Sequence, residues 1–435
     1  MATTLAADET AVTIYNNDLA LVRQVRTIQL KKGVQIFSFE DVAARIDPTS
    51  VHFKALSHPQ EVALLEQNFE YDLVGMSRLL QKYINQEVLV MVKQTGAVQG
   101  TLLSAVDNDV IIGLDGGQVR AIKAAAIESV VFPSLPGGLV TKPTLVWLLD
   151  SKVAGPVRSE ISYLTSGIKW HAEYVAVVNE KDTQMDLAGW VSIENNCGSS
   201  FENAKLKLVA GDVNRVEEEY PRRLRKEDTF MLAATALPFE EKEFFEYHLY
   251  TLQRPATLKD RQIKQMSLFE PQTTPVTKVY VYDDAYNDDK VQVRLEFKNS
   301  KDSGLGMPLP KGKVRVYKRD TDGSQEFIGE DMIDHTPKDE TVRLKLGNAF
   351  DVVGEREVVK EQKVTSTSRQ LTVAIKLRNH KKEPIEVVVV EHLWGDCKFI
   401  GSTPPIKEKT ARRVDFLVTV PANGETRFEY TVLIQ

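Results

Sequence analysis

Two short stretches of this chain carry the residue types that chemistry needs. Ser166-Gly167-Ile168-Lys169-Trp170-His171-Ala172-Glu173-Tyr174-Val175 places a tryptophan, a histidine, a glutamate and a tyrosine within five residues. A histidine near a carboxylate can do general acid–base work when both reach one substrate. Gly329-Glu330-Asp331-Met332-Ile333-Asp334-His335 gathers three carboxylates and a histidine, a set that could hold a cation. On a strand, however, alternate side chains point to opposite faces. Ile168, Trp170, Ala172, Tyr174 and Ala176 then serve the core, the indole and phenol each finding a polar partner. His171 lies between Lys169 and Glu173 on the outer side, where a salt-bridged histidine is ordinary. Glu330, Asp331, Asp334 and His335 diverge along the chain, and no second cluster completes them. They stand as weak metal candidates, read as a polar strand edge after the Asp322-Gly323 hairpin. No catalytic residue and no cofactor is assigned.

The other candidates are weaker. Asp320-Thr321-Asp322-Gly323 has the opening of a calcium loop, but Gln325 stands where the sharp turn demands glycine. The acidic run from Asp283 to Asp289 reads as a solvated loop. Cys197 and Cys397 form no metal-ligand spacing, and two unrelated buried thiols is the preferred reading over one bridge. There is no Gly-x-Ser-x-Gly elbow, no His-Glu-x-x-His pair, no Walker loop and no Gly-x-Gly-x-x-Gly. An enzyme is therefore the less favoured class. A metal-dependent or thiol hydrolase using the Glu330–His335 region or a cysteine stands as an alternative.

The elements that would position these residues follow a period of two. Val291-Gln292-Val293-Arg294-Leu295-Glu296-Phe297-Lys298 alternates without a break. Leu371, Val373, Ile375 and Leu377 do the same, as do Phe428, Tyr430, Val432 and Ile434. Further strands are expected at 206–209, 314–317, 342–346 and 385–390, with turn signals such as Ala422-Asn423-Gly424 between them. Half-polar alternation belongs to antiparallel sheets with one solvated face. The chain is thus expected to be mainly β, with antiparallel β-sandwich domains.

One segment breaks the period. Leu73, Met76, Leu79, Leu80 and Tyr83 fall at helical spacing, and short strands follow near 88–92, 100–103, 110–114, 119–122 and 127–132. This is the outline of a small SH3-like or Sm-like barrel preceded by one helix, closed off by Pro133, Pro136, Gly137 and Gly138. The four strands or so before it are too few for an independent sheet and should pair with the sandwich that follows. The division expected is N-terminal strands at 1–68, the inserted barrel at 69–135, a first sandwich at 136–270 and a second at 271–435. Residues 216–245, with charge runs around the apolar stretch 230–237, read as a surface excursion or a partner-binding arm. An Sm-like outline raises RNA binding as a further alternative. From Glu70 to Leu135, however, five Lys/Arg face seven Asp/Glu, too few cations for phosphate contacts. A structural or protein-contact barrel without nucleic acid is preferred.

The 435 residues are 42% hydrophobic and 27% charged, the composition of a folded globular chain, and the net charge of −6 implies no polyanionic partner. No apolar run approaches the roughly 20 residues that span a bilayer. The N-terminus lacks the n- and h-regions of a secretory signal. It reads as a cytoplasmic start or as a mature chain whose signal has been replaced by methionine.

Several short motifs occur in one order: Ile161-Ser162-Tyr163, Gly167-Ile168-Lys169-Trp170, Tyr174, Ala188-Gly189-Trp190, Asn195-Asn196, then Leu206 to Asp212. Tyr250-Thr251-Leu252, Pro255 to Leu258 and Lys264-Gln265 follow. Asn299, Gly304 to Gly312, Ile328 to Asp331, Arg378-Asn379-His380, Val420 to Glu425 and Tyr430 complete the series. In these the chain resembles the bacterial mucoidy-inhibitor-A-like family of uncharacterised domains, from about Leu139 onward. The resemblance implies β-sandwich architecture and a periplasmic or cell-envelope location, and it carries over no catalytic residue. With the residues, it points to a non-catalytic envelope protein acting through protein or glycan contacts.

Overall fold

In the computed structural model, residues 9–71, 75–134, 140, 142–211, 213–214, 239–366, 368–393, 396–401 and 404–434 are described. Leu73, the punctuation at 136–138, Asp212 and most of the expected excursion at 216–245 lie outside them. The fold is mainly β, in several antiparallel sheets. The chain divides into two compact units, residues 1–170, 193–209 and 254–263 in one and 171–192, 210–253 and 264–435 in the other.

In the first unit, Ala20–Leu30 pairs along its whole length with Gly155–Thr165. Glu9–Tyr15 flanks the first of these and His52–Ala55 the second. Phe201–Ala210 adds to Glu9–Tyr15 in parallel. A three-stranded sheet of Gly33–Glu40, Thr144–Ser151 and Val62–Glu70 lies over this one. Trp147 joins the two layers: buried on the central strand, it packs on Phe39 beside it and on Phe53 of the larger sheet, with centroids 5.3 and 4.9 Å apart. That is sandwich packing, inner side chains of facing sheets interdigitating.

Thr144 pairs with Glu70, so the chain between them is an insertion between the ends of two neighbouring strands. It contains the helix Met76–Lys82, shorter than its periodicity suggests, and the strands Glu87–Val92, Gly96–Val106, Asp109–Gly113, Val119–Ile122 and Ile127–Val131. The fifth strand pairs with the first, and the first to fourth are consecutive neighbours. Leu80 and Tyr83 cover a core of Val88, Val90, Leu102, Val110 and Ile112. Among the described residues no ladder joins Ile127–Val131 to Val119–Ile122, so the sheet is open where a closed barrel was expected. Closure needs strands that tilt and stagger until the edges meet, and edges of five and four residues offer little length for it.

The second unit holds most of a five-stranded sheet, in the order Gln262–Pro275, Gln184–Asn195, Ile168–Val178, Gly312–Arg319, Gln325–Ile333. It also holds a nine-stranded sheet that doubles over on itself. Arg413–Val420 and Gly424–Ile434 lie far apart in strand order. Phe416 nevertheless meets Tyr430 at 5.4 Å and Phe428 at 5.9 Å. The 23-residue strand Thr341–Lys363 serves both halves, pairing first with Lys290–Lys298 and then with Arg369–Asn379. The uninterrupted alternations at 291–298, 371–377 and 428–434 are all strands of this sheet.

The motif residues from Asn299 to Gly312 form a tightly held loop. Asn299, fully buried, donates its amide to the carbonyls of Met307 (2.7 Å) and Pro337 (2.9 Å), and its Oδ1 accepts from the Gly306 N–H. Tyr174 and Tyr250 donate to the carbonyls of Pro310 and Pro308. Gly304 and Gly306 have φ near +85°, and a Cβ there would sit 2.5 Å from the Thr273 carbonyl oxygen and 2.6 Å from the Lys301 nitrogen. Only glycine satisfies both conditions.

Candidate functional site

Parallel pairing of Ile168–Val178 with Gly312–Arg319 aligns Glu173 with Lys313 and Val175 with Arg315, and Gln325–Ile333 then sets Glu330 opposite Arg315. The two stretches singled out from the sequence therefore meet on one outer sheet face. Trp170 and Tyr174 point the other way into the core, where the indole donates to the Val209 carbonyl at 3.2 Å. Gly189 leaves the room that the ring of Phe269 takes up behind this sheet.

On the outer face the charges form a connected ladder. His171 Nε2 contacts Glu173 Oε1 at 3.3 Å. Glu173 Oε2 accepts from Gln265 Nε2 at 3.2 Å and from Arg315 Nη1 at 3.5 Å. Arg315 Nε reaches Glu330 Oε2 at 3.6 Å, and Lys313 Nζ reaches Glu330 Oε1 at 3.2 Å. Glu173 is not the plain surface residue that its position suggested, since only 12% of its side chain is exposed. Lys169 pairs with Glu194 at 3.0 Å.

The remaining metal candidates disperse. Asp331 accepts from the backbone N–H of Lys345, Asp334 accepts from that of His335, and His335 Nδ1 accepts from that of Lys311. Among the described residues no three His, Cys, Asp or Glu are grouped to hold a metal ion. The Asp320–Gly323 stretch closes a hairpin turn, with Asp322 Oδ1 accepting from the Ser324 N–H.

The acidic run needs a correction. Asp288 and Asp289 are exposed, but Asp283 is buried, and His392 Nε2 sits 3.1 and 3.2 Å from its two oxygens. Tyr286 lies edge-on to that imidazole at 5.3 Å. Nothing local in the sequence signals this pair. A second pair joins half-buried Arg356 to buried Glu391 at 3.1 Å within the doubled sheet. Burial alone would lower the Arg356 pKa, but the Glu391 carboxylate outweighs it and raises it.

The ladder's chemistry follows from its saturation. The hydrogen bond from His171, followed by the Arg315 charge, holds the Glu173 carboxyl below the usual carboxylate range although burial opposes this. Both oxygens are occupied, so Glu173 is ionised, weakly basic and already partnered. That is unlike a general acid, whose pKa must rise toward neutrality. The cysteines are not joined, and burial pushes the Cys197 thiol up to about 12, which removes the thiolate a nucleophile needs. Lys313 and Arg315 were not singled out from the sequence, and Gln265 entered only as part of a family motif. Alternation places the first two on an outer face, but no signal names the strand they face.

The profile of DUF4139, described as a domain of unknown function, matches residues 159–395. That is more than half of the chain, which belongs to this family. The match includes Glu173, Gln265, Arg315 and Glu330, and the turn at 420–425 lies beyond it. None of the curated proteins compared with the chain matches it.

Proposed function

We propose that this is a non-catalytic β-sandwich protein of the bacterial envelope that acts through protein or glycan contacts. The observation that carries the proposal is the saturated ladder: the residues most able to do chemistry are spent on one another across an outer sheet face. The envelope location rests on the family resemblance in the motifs from Ile161 onward. The insertion at 69–135 is taken as an SH3-like module for structure or protein contact, which its strand order and separate core support. Pull-down from an envelope fraction tests the proposal. A specific envelope component should be retained above background, while the chain leaves ester, peptide and phosphate substrates unturned. Turnover abolished by Glu173→Gln, or an envelope fraction that yields nothing, would overturn it.

A further inference from the structure

The ladder continues into an exposed aromatic patch. Along Gly312–Arg319 and Gln325–Ile333, three cross-strand pairs share the outer face: Lys313 with Met332, Arg315 with Glu330, and Tyr317 with Phe327. Tyr317 and Phe327 meet edge-to-face at 5.7 Å and 65°. Phe327 is 55% and Met332 56% exposed. Phe327 and Tyr317 sit together beside the charged row, with Met332 beyond it, a grouping that suits a contact surface.

The charge pattern narrows the partner. Lys313 and Arg315 are balanced by Glu173 and Glu330, each carboxylate within 3.6 Å of a cation. A charged partner would gain little from a neutral, internally paired surface, and it would have to break existing pairs to bind. A ligand with many uncharged hydroxyls loses nothing there. It can donate to the outward lone pairs of Glu330 and accept from Arg315 and Lys313 without displacing either. Its C–H faces can lie on the exposed Phe327 ring, and an open sheet face suits an extended chain better than a compact ligand that needs a concave pocket.

We infer that this face binds an uncharged polysaccharide, with Phe327 and Tyr317 as the stacking platform and Glu330, Arg315 and Lys313 as the hydroxyl-recognising row. The inference rests on the contact function proposed above and names its partner.

Affinity electrophoresis of the full chain tests it, in native gels cast with dextran, laminarin, mannan or xyloglucan, and with alginate as the acidic polymer. At least one neutral polymer should retard the protein, and the retardation should persist at about 0.5 M NaCl, where surface ion pairing is screened. Phe327→Ala should weaken retardation about tenfold and Glu330→Gln less, with thermal midpoints close to the parent because both side chains are solvent-exposed. Failure of every neutral polymer, retardation by alginate alone that salt abolishes, or full binding by the Phe327→Ala chain would each overturn the inference. Recovery of an envelope protein through this face with no polysaccharide bound would overturn it too, while leaving the contact function standing.

Discussion

Glu173 shows what a charge costs when a sheet draws it out of water. Its carboxylate is sheltered under Arg315, Gln265 and His171, and such a group is tolerable only while its partners remain. Removing Arg315 as alanine should destabilise the chain by about 3 kcal/mol, the usual cost of stranding one half of a sheltered ion pair. Pairing that change with Glu173→Gln should recover part of the loss in urea unfolding. The pH dependence follows from the lowered folded pKa. Unfolded Glu173 titrates near the ordinary value of about 4.3, so its stabilising contribution is complete above that pH and disappears as pH falls through the folded value. The urea midpoint should drop on acidification below about pH 4, with a shallower slope in Glu173→Gln. Cys197 gives an independent check of burial. With its thiol raised to about 12, it should resist a thiol reagent at about pH 8 in the native chain and react on unfolding.

At the scale of elements, three asparagines do the same job at three strand ends. Asn195 donates to the carbonyls of Ser199 and Lys259 while its Oδ1 accepts from the Cys197 N–H. Asn299 does this for Met307, Pro337 and Gly306, and Asn379 for Glu383, Pro421 and Lys381. Each side chain satisfies loop backbone that would otherwise be buried without partners. Asparagine to alanine at 299 should therefore cost about 2–4 kcal/mol, measured by thermal or urea unfolding, because two carbonyls and an N–H lose their partner together. The asparagines of the family motifs thus hold loops. Strands were the legible part of the sequence, since 291–298 and 371–377 alternate so regularly that only a half-buried sheet accommodates them. Pairing was not legible. Period two reveals which residues share a face but neither strand direction nor neighbour, so the parallel alignment of Glu173 with Lys313 left no trace. The pairing of Asp283 with His392 was hidden for the same reason, and an acidic run around it made the buried member look solvated. The helix covers seven residues from Met76, with Gly75 extended before it.

For the molecule as a whole, the telling feature is where the small sheet enters. Val62–Glu70 and Thr144–Ser151 are antiparallel neighbours, with Glu70 opposite Thr144, so the chain leaves the three-stranded sheet and returns to it at one point. A two-residue turn can close such a pair as well as a domain can. The core of the insertion is drawn wholly from residues between Leu80 and Phe132, and Trp147 reaches across to Phe53 without using any of them. Replacing residues 72–142 with Asn-Gly should therefore leave the rest of the fold intact. The shortened chain should keep a β-type circular dichroism spectrum and a thermal midpoint within a few degrees of the parent. It should also retain the polysaccharide retardation, because Tyr317, Phe327 and Glu330 lie outside the deleted segment. Closing a shorter loop even favours the hairpin slightly, since closure entropy grows with loop length. A shortened chain recovered only as aggregate, or one with a disordered spectrum, would mean that the insertion is part of the sandwich's stability rather than a passenger between two of its strands.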